Sequence, residues 1–227
     1  MTQSIINTKD SSNADVNIIS APYDQTASFH KGTANGPQKI IDCLDTQIEF
    51  FDKRYKIEST EKIKITHTKI PGLEKMSPDN AHKAVVKTCE DNKSPLMFLL
   101  GGEHSMSYGA LCALAKKHNP KDVTILQIDA HCDLRPDNSD YADEDITPYA
   151  HSAVMRRAHE MGYNLVQVGI RAYHKIEHDY FIKNKKTISV FEWGKTDANG
   201  KLLVPSITKI LSAIKTKKIY ISIDVDG

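Results

Sequence analysis

Three short stretches concentrate side chains able to hold cations or move protons: Gly101-Gly102-Glu103-His104-Ser105, Asp129-Ala130-His131-Cys132-Asp133 and Ser222-Ile223-Asp224-Val225-Asp226. Asp129, Asp133, Asp224 and Asp226, gathered in one place, would repel one another and raise each other's pKa unless cations neutralise them. Four carboxylates carry a formal charge of −4, which two divalent ions balance, leaving His104 and His131 to complete the coordination. A carboxylate-rich set with two imidazoles and no thiolate suits Mn²⁺ better than structural Zn²⁺.

Such residues need elements to present them, and short apolar runs alternate here with amphipathic stretches, the pattern of βα units in a mostly parallel sheet covered on both faces. Strands are expected over 16–20, 63–68, 96–100, 123–128, 165–168, 187–191 and 219–223, and helices over 36–44, 77–90, 107–117, 152–161 and 205–214. Ser77-Pro78-Asp79 supplies a cap, a proline for the first turn and an acid for the positive helix end. In open parallel sheets ligands bind beyond the carboxyl ends of the strands, and all three stretches lie there. Extended backbone alternates faces, so Asp129, His131 and Asp133 are expected to point one way, with Cys132 turned into the core, and Asp224 to point with Asp226. Gly101 and Gly102 permit the sharp turn that brings His104 over the sheet edge.

Composition narrows the function classes. Lys plus Arg number 30 against 29 Asp plus Glu, so no global field pulls the chain toward nucleic acid or acidic membrane. Four cysteines without CxxC spacing fit reduced thiols in a cytoplasmic protein. No run approaches the ~18 apolar residues of a membrane span. Residues 1–14 are polar and lack apolar periodicity, and read as a disordered tail before one domain over 15–227.

The three stretches, in order and spacing, resemble the GG(D/E)HS, DAHxD and SxDxD metal motifs of the ureohydrolase (arginase and agmatinase) superfamily, most closely the agmatinase branch. Further similarity lies in Pro22-Tyr23-Asp24 with Gly32 and Gly36-Pro37, in the segment from His151 to Arg157, and in Gly169-Ile170-Arg171. The likeness covers almost everything after about Asn17. It implies a three-layer αβα fold around a mostly parallel, doubly wound sheet, two Mn²⁺ per subunit, and assembly into trimers or hexamers. It implies that His104, Asp129, Asp133 and Asp224 hold one ion, that Asp129, His131, Asp224 and Asp226 hold the other, that Glu103 orients a metal-bound histidine, and that His151 lies near the substrate. Asp133 and His151 are then the catalytic proton carriers.

The implied reaction is hydrolysis of a small cationic guanidino compound, with agmatine giving putrescine and urea, and with arginine or a guanidino acid as rival substrates. Acids at Asp137, Asp140, Asp143, Glu144 and Asp145 would attract such a cation, a solvated loop with no binding role being the equal alternative. A single-zinc deacetylase on a related fold is the competing enzyme class, and two manganese equivalents would exclude it. The family continues beyond the third motif with a glycine-rich segment and a later glutamate, so the chain reads as lacking the carboxyl-terminal part of the fold. A non-catalytic truncated homologue or subunit is the alternative of another class. His30, His67, His82, His118, His159, His174 and His178 lack a partner pattern and read mostly as surface residues.

Overall fold

Apolar runs become parallel strands and the amphipathic stretches between them become helices, in a computed structural model that describes residues 4–143 and 145–227. The chain divides into two compact units at Ala113/Leu114. In the first unit, β1 (Val16–Ala21) is followed by α1 (Gly36–Thr46), a short hairpin of β2 (Phe51–Asp52) and β3 (Ile57–Glu58), and the single-turn α2 (Ser59–Lys62). Then come β4 (Ile65–Lys69), α3 (Pro78–Asp91), β5 (Leu96–Gly101) and α4 (Met106–Lys117), which runs through the division. The strands pair in the order β4-β1-β5, all parallel.

Proline at the first turn starts both α1 and α3. Ser77 takes the extended N-cap conformation of α3, yet its hydroxyl makes no capping bond. Ala81, Val85 and Cys89 recur every fourth residue and form the buried stripe of α3. Polar residues 4–14 are tied to this unit, because Ser4 Oγ and Ile5 N donate to Asp45 Oδ1 and Asn7 Nδ2 donates to the Ile63 carbonyl. Residues 1–3 of the expected tail lie outside the described residues.

The second unit contains β6 (Val123–Ile128), α5 (Val154–Glu160), β7 (Asn164–Ile170), α6 (Lys175–Lys183), β8 (Ile188–Glu192), α7 (Ile207–Ala213) and β9 (Lys218–Ile223). Its sheet is parallel in the order β8-β7-β6-β9. Central β6 and β7 are buried through Val123, Ile125, Leu165, Val166 and Ile170, as expected of parallel strands covered on both faces. Each such side chain stabilises the fold by about 1.5–3 kcal/mol. The parallel α/β class expected from sequence is the one observed, with one parallel sheet in each unit besides the β2–β3 hairpin among the described residues. Among the described residues, no helix is long and apolar enough to cross a membrane.

Candidate metal centre

In the first unit the chain leaves β5 through a turn that is pinned by backbone bonds to the end of β1, Gly102 N to the Ala21 carbonyl at 3.2 Å and Glu103 N to the Tyr23 carbonyl at 2.9 Å. A Cβ at position 102 would lie 2.9 Å from Ala34 Cα, so close approach of two backbones demands the glycine there. The Glu103 carboxylate accepts from Thr26 N at 3.2 Å, Thr26 Oγ1 at 2.5 Å and Ser105 Oγ at 2.7 Å. Burial raises its pKa while these donors oppose the rise. His104 sits between Glu103 and Ser105 in this turn.

His82 is a correction to the surface reading of the remaining histidines. It is buried under the same turn, 3.1 Å from the Ser105 carbonyl through Nε2, and burial pushes its pKa down to about 4. His67 bonds Ser20 Oγ, and His159 bonds Tyr180 and Thr187. Their partners come from distant parts of the chain, which no local pattern announces.

In the second unit the sheet register sets up the site. Ile128 and Ile223 are partners across β6 and β9, so Asp129 and Asp224 leave neighbouring strands side by side. Regular extended structure ends at both isoleucines, and turns rather than strand alternation bring the following acids together. Asp129 Oδ1 accepts His131 N at 2.7 Å, Asp226 Oδ1 accepts Ala130 N at 3.1 Å, and Asp224 Oδ1 accepts Asp226 N at 3.3 Å. His131 Nδ1 then lies 3.3 Å from Asp226 Oδ2 and 3.7 Å from Asp129 Oδ1. One ligand atom from each of Asp129, His131 and Asp226 fits within a 4.8 Å group. Hydrogen bonding to Asp129, with the charges of Asp226, Asp133 and Asp129, outweighs desolvation and lifts the His131 pKa to about 9.

Asp133 adopts φ 52°, a left-handed conformation that costs a non-glycine residue about 1 kcal/mol or more. Its peptide is held from both sides. The Asp133 carbonyl accepts from Met155 N and Arg156 N at 3.0 and 3.1 Å, and the next amide, Leu134 N, donates to Glu177 Oε1 at 2.9 Å. Buried Glu177 also takes His174 N through Oε2 at 2.7 Å, closing the capping box of α6. Arg171 donates to the Asp226 carbonyl, and Arg171 N and Ala172 N both donate to the Ala130 carbonyl, so the exit of β7 braces the same loops. Gly169, at φ 93° and facing the Asp129 carbonyl at 3.0 Å from an added Cβ, is another position that suits glycine.

His151 opens the short 3₁₀ turn before α5, and Tyr141 OH lies 3.5 Å from its Nδ1 and 3.0 Å from Ser152 Oγ. In the acidic loop, Asp140 pairs with Arg135 and Asp137 caps Ser139 N, whereas Asp143 and Asp145 are exposed. Glu144 lies outside the described residues. Cys132 is fully buried, as core packing requires.

Reading by sequence missed three buried polar residues here, Gln127, Gln167 and Glu177. An amide inside each of the apolar runs Val-Thr-Ile-Leu-Gln-Ile and Asn-Leu-Val-Gln-Val-Gly-Ile was the available signal for the first two. Hard oxygen donors beside an imidazole suit a divalent cation. The raised pKa of His131 marks where that cluster favours positive charge.

The sequence matches the arginase family over residues 14–227. It is 29% identical to the N(1)-aminopropylagmatine ureohydrolase of Synechocystis sp. over 94% of this chain and 67% of that protein. It is 30% identical to the agmatinase of Pyrococcus horikoshii over 96% of this chain and 70% of the relative. The crystal structure of agmatine ureohydrolase from Thermoplasma volcanium superposes with a TM-score of 0.76 at 23% identity, covering all of this chain and 72% of that one. A family match that takes in all three acidic motifs, with the parallel α/β architecture beneath them, shows that the chain belongs to the arginase family of binuclear metal-dependent ureohydrolases, in its agmatinase branch.

Proposed function

We propose that this chain hydrolyses agmatine to putrescine and urea with two Mn²⁺ ions. Asp129, His131, Asp133, Asp224 and Asp226, with His104 as the motif resemblance implies, would hold these ions. The convergence of Asp129, Asp226 and His131 carries the reading, because a cluster this acidic is stable at neutral pH only with positive charge at its centre. When bound, divalent cations supply Lewis acidity that makes water a competent nucleophile at neutral pH.

The chain's own groups handle positions and protons. Asp133, fixed by its strained and doubly bonded peptide, takes the proton that the attacking water loses. As the C–N bond breaks it delivers that proton to the departing amine, so water and guanidinium become urea and an ammonium group. His151, oriented by Tyr141, relays protons between the site and solvent. Glu103 stiffens the turn that carries His104. Exposed Asp143 and Asp145 favour approach of a dication. The four cysteines, which form no disulfide among the described residues, accord with the cytoplasm, and the full-length form would assemble as a trimer or hexamer.

Urea release from agmatine, arginine and 4-guanidinobutanoate with added Mn²⁺ tests the reading. Turnover with agmatine in preference to the others is expected. Urea from arginine or the acid alone would reassign the substrate, and no urea from any of them would overturn the proposal.

A further inference from the structure

Two buried amides lie directly behind the acidic cluster and have no part in the chemistry above. Gln127 in β6 and Gln167 in β7 are register partners on adjacent strands, and Gln127 is paired on its other side with Ser222 of β9. Both glutamines are fully buried. Gln127 Nε2 donates to Asp129 Oδ2 at 2.6 Å and to the His131 carbonyl at 3.2 Å. Gln167 Nε2 donates to Gln127 Oε1 at 2.5 Å and to the Cys132 carbonyl at 2.6 Å. A carboxylate only accepts hydrogen bonds, so the nitrogen of Gln127 must face Asp129 and its oxygen must face Gln167. The second amide therefore sets the orientation of the first.

Stability does not account for the pair. Gln167 Oε1 is buried without a hydrogen-bond partner among the described residues, which costs about 1–3 kcal/mol. Leucine or methionine in both places would remove that penalty, and would take the amide donors from the Asp129 carboxylate and the His131 and Cys132 carbonyls. What the pair does achieve is local: three groups of the segment from Asp129 to Cys132, one carboxylate oxygen and two successive carbonyls, are fixed from below by two side chains.

We infer that Gln127, backed by Gln167, is a positioning residue for metal binding: it holds Asp129 and the His131 peptide in the ligating arrangement before any ion arrives. This rests on the reading of Asp129 as a metal ligand. Outer partners of metal ligands typically contribute 10- to 100-fold in affinity or activity.

The test compares wild type, Gln127→Met and Gln167→Met as whole chains, measuring Mn²⁺ binding by titration calorimetry, stability of the metal-free form in urea, and urea release from agmatine. Gln127→Met is expected to weaken Mn²⁺ binding about 10- to 100-fold while the metal-free form still folds, at a somewhat lower midpoint because Asp129, the His131 carbonyl and Gln167 each lose a partner. Excess Mn²⁺ should then recover part of its turnover. Gln167→Met should change in the same direction by a smaller factor. Wild-type Mn²⁺ affinity in Gln127→Met would overturn the inference, as would an affinity loss that only follows loss of folded protein. If Gln127→Met does not fold, Gln167→Met decides in the same terms. A wild-type chain that binds no Mn²⁺ would instead sink the metal reading itself, which separates the two failures.

Discussion

Two carboxylates at strand ends, half-buried Glu103 in the first unit and buried Asp129 in the second, show how similar positions diverge in chemistry. Glu103 is met by three donors from Thr26 and Ser105, which oppose the rise in pKa that burial causes. Asp129 takes an amide and a backbone N–H, but it also shares one imidazole with Asp226 under the influence of Asp133. The first arrangement is complete and shapes a turn. The second concentrates negative charge, and in the proposed reading a cation would complete it. Counting donors against acids, not the presence of an acid, separates a brace from a ligand.

Substitutions at the two acids should therefore differ in kind. Asp129→Ala should abolish metal binding and lower urea release by about 10³-fold or more, roughly 4 kcal/mol of barrier; metal analysis and a urea assay on one preparation check this. Retained metal with full activity would erase the contrast. His151→Asn should lower turnover by ~10²- to 10⁴-fold with metal content unchanged, and equal loss of metal would move His151 into a structural role.

Glu103→Ala should act mainly on stability. Thr26 and Ser105 would be left with unmet donors in a tight turn, a loss of about 1–3 kcal/mol readable as a lower denaturant midpoint.

His82 sharpens the contrast with pH. Its folded pKa of about 4 lies below the unfolded value of about 6.5, so the unfolded chain binds the proton first. Its contribution is fully present above pH 6.5 and is lost as pH falls toward 4, by about 3 kcal/mol. Urea denaturation of wild type and His82→Gln between pH 7 and 4.5 should show a shallower acid loss in the variant. Parallel curves would mean that His82 is not buried neutral.

Much of this was visible in residue order alone. The run 123–128 became β6 to the residue, and the acids after β6 and β9 were found because parallel strands deliver their function at carboxyl ends. Alternation was the wrong reason for their convergence: β6 stops at Ile128, and turns closed by Asp129 and Asp224 aim the later side chains. Helix α6 escaped notice because its cap is His174, whose partner Glu177 also serves the Asp133 turn. The two-residue strands β2 and β3 are too short to leave a period. Gln127, Gln167 and His82 owe their environments to contacts across the fold, which local patterns do not encode.

Equilibrium dialysis of the metal-free chain against Mn²⁺, with Asp226→Ala in parallel, bears most directly on the acidic cluster. Two ions per wild-type chain, with at least one lost in the variant, is the predicted result. A wild-type chain that takes up no Mn²⁺, or a variant that binds it as tightly as wild type, would contradict the assignment of this cluster as a binuclear metal site.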